Sequence, residues 1–197
     1  MSGSYDRTLK IWDLRSSGHK PIQTISSFKD SVSCVNGSET SIFAGCVDGS
    51  VHVYDVRNGK ETIDHMGASI GHISLTSDAL CYCCSSLDST ISLVEIESGR
   101  ILRNFTGHLN TKYQIKHALS NDDKYLFSGD ENGKIYRWDL ATENIKEVKN
   151  RNPNVVEVSQ NSQFAKDCEI IAMDYHPKEH FLITGAVNAN IQLWNLT

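Results

Sequence analysis

The sequence predicts an all-β fold, an incomplete β-propeller of between four and five blades. One observation is a repeated unit that starts with small residues and ends in an aromatic or aliphatic residue before a polar one: SGSYDRTLKIWD, AGCVDGSVHVYD, CSSLDSTISLVE, SGDENGKIYRWD and TGAVNANIQLWN. The aromatic or aliphatic residue recurs at spacings of 42, 40, 44 and 56 residues, and a propeller blade takes about 40–45 residues. Apolar and polar residues also alternate within the copies, which favours strands over helices.

The copies divide the chain into five blade units. We predict their limits as 1–28, 29–67, 68–106, 107–149 and 168–197, with an insertion loop at 150–167. In each unit small residues end one strand and a polar residue makes the hairpin turn, at Asp6, Asp48, Asp88, Asn132 and Asn188. Units two to four are expected to be complete, with inner strands at 32–35, 70–75 and 113–119. Unit one is expected to lack its innermost strand, and unit five its outermost.

The chain is short for a closed propeller. Its 197 residues hold fewer than five units of about 42 residues, whereas a seven-bladed ring needs roughly 290. An open arc exposes two blade faces and unpaired strand edges, which favours association. Two expectations remain open: the sequence is the C-terminal part of a seven-bladed ring, or it is a short chain that completes itself by oligomerising.

The insertion explains the one long spacing. Residues 150–167 are rich in Asn, Gln and Ser and join the outer strand of blade four to the inner strand of blade five. Such connections open on the narrow face of a propeller, and loops carry function more often than cores do. The segment is either a tolerated surface insertion or a partner-binding loop.

Charge and hydropathy limit the function classes. The formal net charge is -5, which argues against general binding of nucleic acid because such proteins present a basic face. No run approaches the roughly 18 apolar residues that cross a bilayer, and the N-terminus has no apolar signal core. We therefore expect an intracellular soluble protein without direct contact to nucleic acid or membrane.

The cysteines cluster in one place, the CYCC at 81–84. On a strand, Cys81 and Cys83 point to one side of the sheet and Cys84 to the other, which is poor geometry for one tetrahedral metal site. Free cysteine behaves as a small buried hydrophobe. We predict that these residues belong to the core, with a metal or redox site as the alternative, and we expect no cofactor.

Catalytic patterns give no convincing match. The sequence contains no nucleophile elbow, phosphate-binding Gly-rich loop or H-E-x-x-H motif. His176 and His180 have ligand-like spacing only on a helix, and Pro177 makes this segment a turn between strands. We expect no enzyme activity and no small-molecule substrate. An active site would have to draw side chains from blades that this sequence does not include.

The repeat resembles that of WD-repeat proteins. In that family a Gly-His dipeptide precedes the unit, and its His joins a strand Ser or Thr, the turn Asp and the Trp in a buried hydrogen-bonded set. The resemblance implies that the fullest set here is His108, Ser128, Asn132 and Trp138, with Asn in place of Asp. It also implies structural roles for the matching residues of other blades: Ser2, Asp6, Trp12, Asp48, Asp88 and Trp194.

Two tetrads resemble a box found in substrate receptors of cullin-4 ubiquitin ligases. WDLR at 12–15 and YDVR at 54–57 follow the pattern W-D-x-R in consecutive blades. The resemblance implies that Arg15 and Arg57 bind a ligase adaptor. The alternative is an ordinary surface ion pair at a strand end, which contributes about 0–1 kcal/mol.

A longer resemblance is to the mitogen-activated protein kinase organizer proteins. It covers most of 1–140 and the stretch from AMDYHP to the end, and its more specific pieces are SSLDST and GHLNTKY. It implies a non-catalytic scaffold for a mitogen-activated kinase cascade, a late spliceosome component, or both. Signalling kinases and splicing factors are then the expected partners, in the cytoplasm and the nucleus.

Partner contacts are expected at the rim of the narrow face, where exposed aromatic and charged residues dominate binding. By their place in the repeat, the candidates are Tyr5, Asn110, Lys112, Tyr113 and Glu131, with Arg151 of the insertion as a weaker one. Tyr113 is equally compatible with the core. Glu131→Arg or Lys112→Glu is expected to weaken partner binding without lowering the melting temperature.

Overall fold

The computed structural model describes residues 1–15, 20–142, 145–147 and 168–196, and their strands form five antiparallel sheets. Blade one contains β1 (Ser2–Gly3), β2 (Leu9–Ile11) and β3 (Gln23–Ile25). Blade two contains β4 (Val32–Gly37), β5 (Ser41–Cys46), β6 (Ser50–Asp55) and β7 (Glu61–His65). Blade three contains β8 (Ile70–Leu75), β9 (Cys81–Ser86), β10 (Thr90–Glu95) and β11 (Ile101–Phe105).

The last two blades follow the same order. Blade four contains β12 (His117–Leu119), β13 (Tyr125–Gly129), β14 (Ile135–Asp139) and β15 (Ile145–Glu147). Blade five contains β16 (Ile170–Tyr175), β17 (Phe181–Ala186) and β18 (Ile191–Asn195). Strands pair with their sequence neighbours in every sheet, and the first strands of blades two to five contact one another in turn. Five meanders side by side confirm the all-β prediction and match an incomplete propeller.

The core lies between blades, because the two faces of each sheet pack against different neighbours. Phe43 of blade two packs with Tyr82 of blade three. Phe105 of blade three packs with Trp138 of blade four, and Phe127 of blade four stacks on Tyr175 of blade five. Period-two alternation thus supplies apolar side chains to both faces of a sheet.

The alternation places the clustered cysteines as predicted. Cys83 belongs to the cluster between blades three and four, and Cys84 to the cluster between blades two and three. Burial raises the pKa of the Cys84 thiol to about 12, which keeps the thiol protonated and unreactive. Within the described residues, no three or more His, Cys, Asp and Glu side chains are grouped so that they could hold a metal ion.

One face of blade five is uncovered. Ile183, Ile191 and Leu193 are 38–45% exposed on this face. Phe43 and Val51, which occupy the positions of Ile183 and Ile191 in the repeat, are fully buried in blade two. The part of the chain with assigned structure contains no helix that is long and apolar enough to span a membrane.

The hydrogen-bonded set expected around Trp138 is not formed. The Trp138 indole donates to the carbonyl of Thr106 at 3.0 Å, and the Ser128 hydroxyl donates to the carbonyl of Gly129 at 3.0 Å. Asp130, not Asn132, caps the hairpin, because its carboxylate accepts the backbone N–H of Asn132 at 2.9 Å. The motif alone could not show which residue caps the hairpin, because Asp130 and Asn132 both lie at the turn and either side chain can accept backbone N–H groups.

The equivalent contact does form in blades one and five. The Trp12 indole donates to the Ser2 hydroxyl at 2.9 Å, and the Trp194 indole donates to the Thr184 hydroxyl at 2.9 Å. The hydrogen bond joins Ser2 to Trp12 in blade one and Thr184 to Trp194 in blade five. In each blade it therefore links the two strands on either side of the hairpin. The small polar residue at the start of the repeated unit therefore has a direct partner at its end.

A candidate partner-binding face

The hairpins between the second and third strands of each full blade lie beside the connections that enter the inner strands, and we call this side the upper face. Backbone hydrogen bonds of 2.9–3.0 Å join the two kinds of loop, from Val47 to Ser31, Leu87 to Ser69, Glu131 to Leu109 and Val187 to Glu169. The same repeat position in each hairpin donates the N–H. This regularity brings these four hairpins and their neighbouring loops to one side of the molecule, and the hairpin of blade one joins them where the Ser31 hydroxyl donates to the Tyr5 carbonyl at 3.3 Å.

That position carries an apolar side chain in four of the five blades. Tyr5 is 90% exposed, Val47 40% and Val187 48%, and Leu87 is half-buried. In blade four the position is Glu131, and the neighbouring Leu109 is 40% exposed. We call these five apolar residues, Tyr5, Val47, Leu87, Leu109 and Val187, the apolar row. Sequence reasoning identified Tyr5 but missed the other four, although the repeat register was the signal that could have found Val47, Leu87 and Val187.

Turn carboxylates keep the hairpins of the row rigid. Asp6 accepts the backbone N–H of Thr8 at 3.0 Å, and Asp48 accepts that of Ser50 at 3.0 Å. The Thr8 side chain lowers the pKa of Asp6. Burial opposes ionisation of Asp48, but hydrogen bonds from Ser50 outweigh it and lower its pKa. Ionised caps of this kind fix the turn from which each apolar side chain projects.

The predicted partner residues also lie on the upper face, but their surroundings differ. Lys112 and Tyr113 are exposed in the connection that enters β12, and Tyr113 is 37% exposed. Asn110 is fully buried, so it cannot contact a partner directly. The strand predicted at 113–119 starts only at His117, and the N–H groups of Thr111, Lys112 and Tyr113 bind Glu131. Arg151 lies outside the described residues.

Arg15 and Arg57 lie on the opposite side, which we call the lower face. There the turns after the third strands meet the turns between the first and second strands, as in the 2.8 Å hydrogen bond from Val56 to Thr40. Arg15 binds Asp13 at 3.1 Å and Arg57 binds Asp55 at 3.3 Å. The arginine side chains remain 92% and 74% exposed. The two sets of predicted binding residues therefore cannot serve one compact partner site.

One set of side chains has the connectivity of a Ser-His-acid triad. His52 Nε2 lies 3.1 Å from the Ser50 hydroxyl, and His52 Nδ1 lies 2.7 Å from Glu61. However, the Ser50 hydroxyl donates to Asp48 at 2.5 Å and Ser50 is 1% exposed. A buried hydroxyl whose proton is directed at a carboxylate is not an available nucleophile. The network joins β6 to β7 and is structural.

Three histidines, of which His108 and His117 are buried and His72 is partly buried, make stability depend on pH. Burial lowers the pKa of His72 and that of His108 to about 4, and it lowers the pKa of His117 well below its ordinary value. The unfolded chain therefore takes up these protons first as the pH falls. The stability due to neutral histidines is fully present above about pH 6.5, the ordinary histidine value. It is lost as the pH falls from there towards 4.

We expect the free energy of unfolding, measured by urea titration, to decrease between pH 7 and pH 5. His72→Gln should reduce this dependence, because one low-pKa group is removed. His65→Gln, on the exposed end of β7, should leave it unchanged. Equal pH dependence in the wild type and in His72→Gln would contradict the assignment.

Comparison with known proteins gives a consistent picture. The family model "WD domain, G-beta repeat" matches residues 1–13, 19–55, 99–139 and 159–195. The chain is 35% identical over 180 residues to WD repeat domain-containing protein 83 of Rattus norvegicus, which covers 91% of the chain and 52% of that protein. It is 37% identical over 129 residues to an uncharacterized WD repeat-containing protein of Schizosaccharomyces pombe, covering 66% and 43%. The chain thus spans about half the length of these curated relatives.

Proposed function

The chain belongs to the WD-repeat family, and from this we propose that it is a non-catalytic scaffold whose upper face binds other proteins. WD-repeat proteins are generally protein-interaction scaffolds, which is the coarse function the family supports. The observation that carries the proposal is the apolar row, in which Tyr5, Val47 and Val187 are 40–90% exposed at one repeat position. Exposed apolar side chains that recur on one side of a rigid frame suit an interaction surface.

We further propose that the partners are proteins of a mitogen-activated kinase module, spliceosomal proteins, or both. The resemblance of SSLDST and GHLNTKY to the kinase organizer proteins supports this. Both kinds of partner place the protein in the cytoplasm and the nucleus. No nucleic acid, membrane or small-molecule substrate is part of the proposal.

The proposal is tested by removing apolar contacts from one face at a time. The tagged protein is expressed in its native cell, crosslinked, purified and analysed by mass spectrometry. Tyr5→Ser with Val47→Ser should lower recovery of the principal partners about tenfold, equivalent to about 1.4 kcal/mol of binding free energy. The melting temperature should change little, because both side chains are exposed.

The matched control lies on the lower face. Leu14 and Val56 are 96% and 55% exposed, so Leu14→Ser with Val56→Ser removes similar apolar area from the other side. Recovery should then stay at the wild-type level. A loss in the control alone would move the site to the lower face. Unchanged recovery in both variants would contradict binding through exposed apolar residues.

A second candidate function is that of a substrate receptor for a cullin-4 ubiquitin ligase. The observation that favours it is that Arg15 and Arg57 occupy the same repeat position in consecutive blades and are both largely exposed. Arg15→Ala with Arg57→Ala should abolish recovery of a ligase adaptor and leave the upper-face partners in place. Recovery of an adaptor by this double variant would remove the candidate.

A further inference from the structure

The loop before β12 directs three consecutive backbone N–H groups at one carboxylate. Glu131 Oε1 accepts the N–H of Thr111 at 2.5 Å, that of Lys112 at 2.5 Å and that of Tyr113 at 3.4 Å. Glu131 Oε2 accepts the Thr111 hydroxyl at 3.1 Å. The loop therefore already binds an anion, the Glu131 carboxylate, which belongs to the neighbouring hairpin.

This arrangement is an anion-binding site by its chemistry. Successive N–H groups that converge on one point form a concave site with positive potential, and hydrogen bonds to an ionised acceptor are among the stronger ones. Burial opposes ionisation of Glu131, but the N–H groups of Lys112 and Thr111 outweigh it and lower its pKa. The exposed ammonium of Lys112 adds a positive charge to the same loop.

A second observation concerns the residues at the base of the loop. Asn110 is fully buried, and both polar atoms of its side chain have no hydrogen-bond partner among the described residues. The same is true of both ring nitrogens of His108, which is 3% exposed. Oδ2 of Asp130, beside Glu131 in the hairpin, is likewise buried and without a hydrogen-bond partner among the described residues. Unpaired buried polar groups are rare in folded proteins and commonly mark a ligand or water site.

We propose that the loop 111–113 is a binding site for an anionic side chain of a partner protein, a carboxylate or a phosphoryl group, and that Glu131 is its internal competitor. That the ligand belongs to a partner rests on the proposed scaffold function, whereas the anion site itself does not. Glu131 stands at the repeat position that carries an apolar side chain in the other blades. A partner that covers the apolar row would place its acidic group at blade four.

Replacement of the Glu131 carboxylate by an acidic group of the partner needs no rearrangement of the core. Glu131 lies in a hairpin turn and is half-exposed, and Thr111, Lys112 and Tyr113 are all exposed. The loop is held separately through Asn110, whose carbonyl accepts the backbone N–H of Ser89 at 3.0 Å and whose backbone N–H donates to the Ser89 hydroxyl at 2.9 Å. The site can therefore open at the surface while its base stays in place. Because an attached competitor acts at a high effective concentration, wild-type protein should bind free anions weakly.

The test titrates Glu131→Ala with inorganic phosphate and separately with acetate, and follows the backbone amide resonances of 111–113 by NMR. We expect these resonances to shift in the variant with millimolar affinity and at least about tenfold more weakly in the wild type. Tighter binding of phosphate identifies a phosphoryl ligand, and binding of acetate as tightly as phosphate identifies a carboxylate. Lys112→Ala in the Glu131→Ala background should weaken binding by a few-fold, about 1 kcal/mol or less.

Glu39→Ala is the matched control, since Glu39 is an exposed carboxylate in a turn of the lower face. If the amides of 111–113 do not move in Glu131→Ala, or move no more in that variant than in Glu39→Ala and the wild type, the proposal is overturned. Glu131→Gln serves the same purpose should the alanine variant not fold. Small anions test the loop in the absence of any partner. Failure of this experiment is therefore distinct from failure of the proposed scaffold function, which would appear as unchanged partner recovery in the apolar-row variants.

Discussion

Alanine at Gly129 is expected to lower the free energy of unfolding by about 2–3 kcal/mol, the cost of overpacking a tight contact. A Cβ atom there would lie 2.4 Å from the carbonyl oxygen of Ile170 and 2.7 Å from its Cγ2. Ile170 begins β16, the inner strand of blade five. The obstructing atom is backbone, so blades four and five would have to separate to admit one methyl group.

Gly185 provides the matched control, because it occupies the same repeat position in blade five. A Cβ atom at Gly185 would meet only the Ala172 methyl, at 3.7 Å, which is an ordinary contact. Gly185→Ala should therefore change the free energy of unfolding by no more than about 0.5 kcal/mol. Urea titration of both variants measures the difference. Equal losses of unfolding free energy in the two variants would show that alanine at this position disturbs its own strand and not the contact with the neighbouring blade.

The glycine shows what the sequence could and could not predict. The repeat correctly predicted the sheets, and small residues were expected to end a strand before a hairpin. The structure adds that the next blade approaches closely at this point: a Cβ atom at Gly3 would lie 2.6 Å from Val32, and one at Gly45 would lie 2.6 Å from Ile70. Distances between blades depend on tertiary packing, which the pattern of a single strand does not contain.

Blade four marks the limit of prediction for local structure. Alternation correctly placed Cys83 and Cys84 on opposite faces of blade three, because a strand with period two leaves no other choice. The same reasoning extended the inner strand of blade four back to Tyr113. In the structure β12 begins at His117, since a side chain from a different hairpin captures the loop. Strand propensity cannot anticipate a contact between Glu131 and N–H groups 18–20 residues away.

The candidate site was predicted in part. Tyr5 and Glu131 were expected on one face from their positions before the hairpin turn, and Lys112 from its place at the entry to an inner strand. All three lie on the upper face, and their contact with a partner stays a prediction. The apolar row was missed because Val47, Leu87 and Val187 are ordinary strand-compatible residues when each is considered alone. Only their common register and the measured exposure of each side chain distinguish them from core residues.

Removal of Trp138 is expected to have the largest effect on stability. Its side chain is 1% exposed, its ring lies 5.3 Å from that of His108 and 6.3 Å from that of Phe105, and its indole N–H binds Thr106. Trp138→Ala would leave a cavity between blades three and four and an unpaired carbonyl. We expect the free energy of unfolding to fall by about 3–5 kcal/mol.

Trp12 allows the contribution of burial to be separated from that of the motif. It occupies the same repeat position in blade one and binds Ser2, but it is 38% exposed. Trp12→Ala should cost about 1 kcal/mol, because little apolar area leaves a packed environment and the freed hydroxyl can bind water. Urea denaturation of both variants, with m-values compared, checks the difference. Similar losses of unfolding free energy at the two positions would mean that the tryptophan stabilises the blade through its own sheet. The expected larger loss at Trp138 would show that this residue stabilises the protein through the contact between blades.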